Sequence, residues 1–364
     1  MIRLTLISPR MLAGGLLILL AATATGLRLR PAPAEVVTGY PVRLSEFGFF
    51  QGSLADQVPA PGVVPYALNT PLFSDYAEKL RFVRLPPGAQ VPYNDQEVLH
   101  FPVGTVIIKT FYYPQDARKP ALGRTLMETR LLIHEAGGWK ALAYHWDENQ
   151  QDATLEVAGA TRPITWTDAS GKKRKLDYTM PNLNQCKGCH SYEGAMRPIG
   201  PSARQLNGTF AYSEGADNQL KHWQTQGILT GLPAELAQVP RVPVWSDPGS
   251  GDLNARARAW LDINCAHCHN AKGPASTTGL YLDIHQTEPG MLGVNKAPVA
   301  AGRGAGDLTY GIVPGKPEAS ILYFRMASTD PGIMMPEVGR KMVHTESMAL
   351  IREWIAGMKP DGTW

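Results

Sequence analysis

From Val36 to about Thr179 the apolar positions follow the spacing of strands. Leu80-Arg81-Phe82-Val83-Arg84-Leu85 partly alternates, and Thr105 to Tyr113 is β-branched and aromatic. Met127 to Ile133 runs through Gly137-Gly138 into Trp139 to Trp146. Such side chains suit a pleated, half-buried surface, and a glycine pair between two of these runs predicts a hairpin. Shorter strands are predicted at 154–157 and 164–166, with a turn at Asp168-Ala169-Ser170-Gly171. Together they predict an antiparallel sandwich or partial barrel.

Beyond residue 180 the period changes. A short helix is predicted around 218–225, followed by a linker through Pro240, Pro243 and Pro248. Ala255, Ala259, Trp260 and Ile263 lie near one face of a helix that leads into Cys265. A further helix is predicted over 318–326 with Pro317 in its first turn. In the last one, from near Thr345, Met348, Ile351, Trp354 and Ile355 form an apolar stripe that suits packing on the helix from Asn254. The organisation predicted is a leader over 1–34, a β-rich domain over 35–180, a segment over 181–250 and a helical domain over 251–364.

Two stretches carry the chemistry: Cys186-Lys187-Gly188-Cys189-His190 and Cys265-Ala266-His267-Cys268-His269, both C-x-x-C-H. Thiols three positions apart, followed at once by a histidine, suit a haem held by two thioether bonds with that histidine as axial iron ligand. All four cysteines of the chain are used in this way. A zinc site would leave the histidines unexplained, and a thioredoxin-like pair needs a βαβ context that the pattern lacks. The expectation is two covalent haems c, with Cys186, Cys189, His190, Cys265, Cys268 and His269 holding them.

The far side of each iron needs a ligand or a guard. For the second haem, Met334-Met335-Pro336 offers a methionine on a loop stiffened by proline. Met335 comes first, ahead of Met334 and Met326, and all three could equally be core methionines. Histidine–methionine ligation raises the potential and closes the iron, which favours electron transfer. For the first haem, His222 is placed first. Met196, six residues after His190, is a strained alternative, and an open iron, which would permit catalysis, is the third.

Residues 1–34 hold Arg3 and Arg10, an uncharged apolar run from Met11 to about Gly26, and small residues at 22–24 and 32–34. This predicts an export signal or, uncleaved, a membrane tether through residues 11–27; either fits a periplasmic location. Removing the four arginines of 1–34 from 35 leaves 31 basic against 32 acidic side chains, a net of −1, with no case for nucleic-acid binding. The aromatic and proline-rich run 65–76 reads as a loop packed on the sheet or as a functional surface. Glu128, Arg130, His134 and His145 fall in the hairpin without fixing a catalytic pair.

Residues 254–357 resemble a class I cytochrome c domain: entry helix, second pentad, Gly273-Pro274, Ile312-Val313-Pro314-Gly315-Lys316-Pro317, Met335-Pro336, and a closing helix with Trp354. More broadly, residues 44–357 resemble a family of bacterial dihaem c-type cytochromes, through Asn69-Thr70-Pro71-Leu72-Phe73-Ser74-Asp75-Tyr76, Glu128-Thr129-Arg130-Leu131, Arg204-Gln205-Leu206-Asn207 and the two pentads. The resemblance implies a β-rich leading region, two covalent haems in the periplasm, and Pro274 as the carbonyl acceptor of the axial histidine's second N–H. The fold expected is therefore a β-rich, sandwich-like N-terminal domain followed by mainly α cytochrome c-like haem domains. The function expected is single-electron transfer between redox partner proteins. A dihaem peroxidase-like oxidoreductase with an open first haem, or a partner- or ligand-binding module coupled to a haem relay, are the alternatives.

Overall fold

In a computed structural model, which describes residues 39–364, the predicted strands form one six-stranded antiparallel meander. Its strands are β1 (Val63–Tyr66), β2 (Glu78–Arg84), β3 (Val106–Pro114), β4 (Arg124–Glu135), β5 (Gly138–Trp146) and β6 (Ala153–Leu155), neighbours in space in that order. Ala136 and Gly137 turn the β4–β5 hairpin, and Gly138 beyond them has φ 107°, a conformation that costs glycine least. A separate hairpin, β7 (Ala160–Thr167) with β8 (Lys173–Met180), follows the sheet.

Alternation along the strands gives the sheet two buried faces. Phe82, Ile108, Leu131 and Leu142 pack on one side with Leu44, Phe49 and Trp146. Val83, Ile107 and Leu132 point the other way, onto Leu206, Leu220 and Trp223 from beyond residue 200. The hairpin closes one end, with Trp166, Leu176 and Tyr178 against Phe111, Tyr113 and Met127.

The helices among the described residues are α1 (Leu183–His190), α2 (Ala203–Leu206), α3 (Gln219–Thr225), α4 (Leu253–Asn264), α5 (Ile321–Ala327) and α6 (Thr345–Gly357). The expectation of mainly α haem domains is overturned. Only α4 and α6 exceed eight residues. Residues 181–250 carry short strands at Ser191–Tyr192, Ala195–Met196, Thr209–Tyr212, Gly215–Asn218 and Leu229–Thr230, and 265–320 is turns and short 3-10 segments. The sandwich-like expectation is corrected too, since one sheet is covered by a hairpin and by helices. Gly273-Pro274, Pro289-Gly290 and Pro314-Gly315 break the chain before an amphipathic face can build up. The fold is mixed and β-rich, and its described residues belong to one compact unit.

The α4–α6 pair does form. Trp354, 1% exposed, and Ile351 pack with Ala257, Trp260 and Leu261, and Trp354 Nε1 donates to Asn254 Oδ1 at 2.9 Å. Trp354→Ala should cost about 3–5 kcal/mol, read as a lowered denaturant midpoint with little change in slope. The leader and tether expectations lie outside the described residues. Among those described, no helix is long and apolar enough to cross a membrane.

Candidate functional site

The first pentad sits inside α1. Asn182 caps that helix by accepting from Gln185 N at 2.9 Å, and the Gln185 side chain returns the bond to Asn182 N. Residues three and four apart share a helix face, so Cys186, Cys189 and His190 point together. The second pentad begins one residue after α4 ends, in a turn where His269 N donates to Cys265 O at 2.9 Å.

Both histidines are held for ligation. His190 Nδ1 lies 2.8 Å from Arg197 O, so it carries the proton and leaves Nε2 free. Thr278 Oγ1 donates to Ala275 O at 2.7 Å and presents a lone pair to His269 Nδ1 at 3.5 Å. Pro274, the position expected to supply a carbonyl, is exposed; Thr278 and the Leu280 backbone take that part. Burial, and then the Lys109 charge, push His190 down to about 3, and burial takes His269 down to about 4. Both rings are therefore neutral at ordinary pH, the state in which imidazole binds a metal. An engaged Nδ1–H is the outer support that ligating histidines usually have. The residues present thus fit two haems held through the pentads.

The fold brings the two pentads into contact. The ligand atoms of Cys189, His267 and Cys268 all lie within 4.8 Å of one another, and Cys268 Sγ is 3.6 Å from Gly188 O. The Cys268 thiol, against the effect of burial and with help from His267, draws Cys189 toward the thiolate. Burial raises Cys265 to about 12. Two cavities flank this contact. One, of about 170 Å³, is lined by Cys186, Cys189, His190, Met326, Met335 and the sheet. The other, of about 420 Å³, is lined by Cys189, His190, His267, Asp262 and His285 among others.

Met335 is thus at the site, on a loop that also flanks the second pentad. The charges felt by Cys265, Cys268 and His269 include Arg340, Glu337 and Arg325, which surround that methionine. Met334 is buried at 6% exposure. His222 is not brought to the pentads: it stacks on Tyr212 with ring centroids 3.5 Å apart, has Glu214 3.7 Å from Nε2, and lines neither cavity. Met196 pairs with Ser191 in a two-residue strand and lines neither cavity. The His222 ring is carried by α3, whose Leu220 and Trp223 pack with Tyr66, Val83 and Ile107 of the sheet.

The run 69–76 is neither a surface nor a simple packing loop. Asn69 Nδ2 donates to Asn207 O and Val242 O, and Thr70 N to Gln205 Oε1. Phe73 N donates to Asn264 Oδ1, just before the second pentad. The Asp75 carboxylate accepts from Lys341 N and Met342 N, each at 2.7 Å. This strap ties the sheet to the 205–207 segment, to the end of α4 just before the second pentad, and to the loop after Met335, whose Met335 carbonyl accepts from Arg340 at 2.7 Å. Asp75→Ala leaves two backbone donors unpaired. It should cost about 1–3 kcal/mol and speed amide exchange at Lys341 and Met342.

In the hairpin, Glu128 is fully buried. Its carboxylate accepts from Arg130 Nε and Nη2 at 2.8 and 2.6 Å and from Tyr178 OH at 2.5 Å. His134 Nδ1 lies 2.8 Å from Phe101 O and its ring stacks on Trp139. These are structural partnerships rather than an acid–base pair. What the sequence reading missed are Thr278, the Asp75 and Arg340 anchors, and cations facing the smaller cavity. The last had a visible signal, a lysine inside the apolar run Val106-Ile107-Ile108-Lys109-Thr110-Phe111.

No family model, curated protein or solved structure matches this chain.

Proposed function

We propose that this protein transfers single electrons through two haems c, one held by Cys186, Cys189 and His190 and the other by Cys265, Cys268 and His269. The observation that carries the reading is the pairing of two C-x-x-C-H pentads, each with a half-buried, neutral histidine whose Nδ1 is engaged and whose Nε2 is free. When bound, haem supplies a one-electron couple that no side chain here could provide. The residues of this chain would attach it, orient the axial imidazoles and exclude water. The contact of Cys189 with Cys268 would set the two groups side by side, at the close range that electron exchange needs. The likeness of the pentads and the strap to dihaem c-type cytochromes supports the same reading, as would the export that residues 1–34 predict.

The test is the haem content and the oxidised and reduced spectra of protein made with a c-type cytochrome maturation system. Two covalently held haems per chain are expected. Met335→Ala is expected to open the second iron to cyanide while leaving the haem count intact; unchanged cyanide resistance would remove Met335 as its ligand.

One observation favours a second reading. Cys189, His267 and Cys268 offer three soft donors within 4.8 Å, enough for three positions of a zinc-like site with the fourth open. Purified protein with stoichiometric zinc and no haem would decide for it.

A further inference from the structure

The face of the sheet that meets the first pentad is unusual in its charge. The register places Arg81 opposite Lys109 and Lys109 opposite Arg130, so three cations stand in one row across β2, β3 and β4. The next row toward the apolar end is Val83, Ile107 and Leu132, and all three of these pack against the helical side of the molecule. Like charges directly opposite one another in a sheet repel. Arg130 has Glu128, while Arg81 and Lys109 have no carboxylate partner among the described residues. Arg81 is 9% exposed, and the Lys109 ammonium finds only the Phe111 ring, 5.0 Å from its centroid.

All three line the cavity that holds Cys186, Cys189 and His190. The other charged groups on its wall are Arg340 and Asp75. Each is committed, Arg340 to the carbonyls of Met335, Met342 and Ser328, and Asp75 to the Lys341 and Met342 N–H groups. A half-enclosed cavity with cations on one wall and its only carboxylate already bonded is built for an anion carrying more than one negative charge. Arg81, Lys109 and Arg130 share this cavity with Cys186, Cys189 and His190, so that anion lies beside the first pentad.

We propose that Arg81 and Lys109, beside the Glu128-paired Arg130, form a carboxylate clamp for the two propionate side chains of the haem held by the first pentad, an inference that rests on the haem reading above. It gives the sheet a part in the redox site, because a cation at the propionates favours the reduced, less positive iron over the oxidised one and raises the potential of that haem.

The test uses holoprotein with the first haem only, Cys265→Ser/Cys268→Ser, alone and combined with Lys109→Met or Lys109→Arg. Haem content is counted first. A wild-type protein without haem would overturn the haem reading itself, and the clamp with it. With haem present, Lys109→Met should lower the potential and Lys109→Arg restore it. An unchanged potential in Lys109→Met overturns the clamp. Removing one of three adjacent like charges relieves repulsion, so the fold should hold; if Lys109→Met does not accumulate, Arg81→Gln reads the same shift. Titration of wild-type holoprotein with succinate separates the other source of carboxylates. Binding that Lys109→Met abolishes would assign the clamp to a soluble dicarboxylate and overturn the propionate assignment; absence of binding, with the potential shift, supports it.

Discussion

Serine at both Cys265 and Cys268 is expected to halve the covalent haem of the mature protein, from two per chain to one, and serine at both Cys186 and Cys189 to do the same. Each thioether needs its own sulfur, and the chain has no fifth cysteine to substitute. The two variants should differ in what remains. With the second pair removed, the surviving haem would sit by the cavity that carries Arg81, Lys109 and Arg130; with the first pair removed, it would sit on the pentad that follows α4, away from Cys186 and its cations. Mass spectrometry and reduced spectra read the count, and a redox titration reads the difference. Full haem content in either variant would show that its pentad holds none. The contact between Cys189 and Cys268 adds a second expectation: attachment at one pentad should slow when the other is mutated, because each is the wall of the other.

Glu128→Gln is expected to destabilise the fold by about 3 kcal/mol, at the low end for breaking a buried ion pair because Arg130 keeps 25% of its side chain exposed. Glutamine preserves the shape and can still accept from Tyr178, so the loss isolates the charge. Without it, Arg130 stands uncompensated beside Lys109. The double variant Glu128→Gln/Arg130→Met should recover most of that loss, since both members of the pair are then gone. Chemical denaturation of the three proteins checks this, and equal stability of wild type and Glu128→Gln would show that the pair is not the charge balance of this sheet face. Burial, and then the neighbouring Arg130 and Arg81, push Lys109 down to about 7.

Much of this protein could be read from residue order. Strand spacing placed β2 to β5 within a few residues of where they form, because a period of two is imposed by the pleat itself. The α4–α6 pair followed from an apolar stripe at helical period, which has no other place to go than a facing helix. The pentads were legible for a chemical reason: cysteine, cysteine and histidine act within one turn of chain, so their geometry is local.

What was not legible is whatever depends on distant segments meeting. Pro274 matched a motif position, yet Thr278 supports His269, since a turn decides which acceptor reaches the ring. His222 has the right chemistry and enough chain, but its ring stacks on Tyr212 and lines neither cavity beside the pentads. The expected helical haem domains gave way to turns and short strands, because glycine and proline outweigh weak helical periodicity between α4 and α5. Residue order alone thus determined the sheet's strands and the two C-x-x-C-H sites. Only tertiary structure decided that the sites touch, that residues 69–76 strap the end of α4 and the loop after Met335 to the sheet, and that Arg81, Lys109 and Arg130 line up beside the first. Register between strands and contact between segments are properties of the folded chain, set by burial over the whole molecule rather than by any stretch of it.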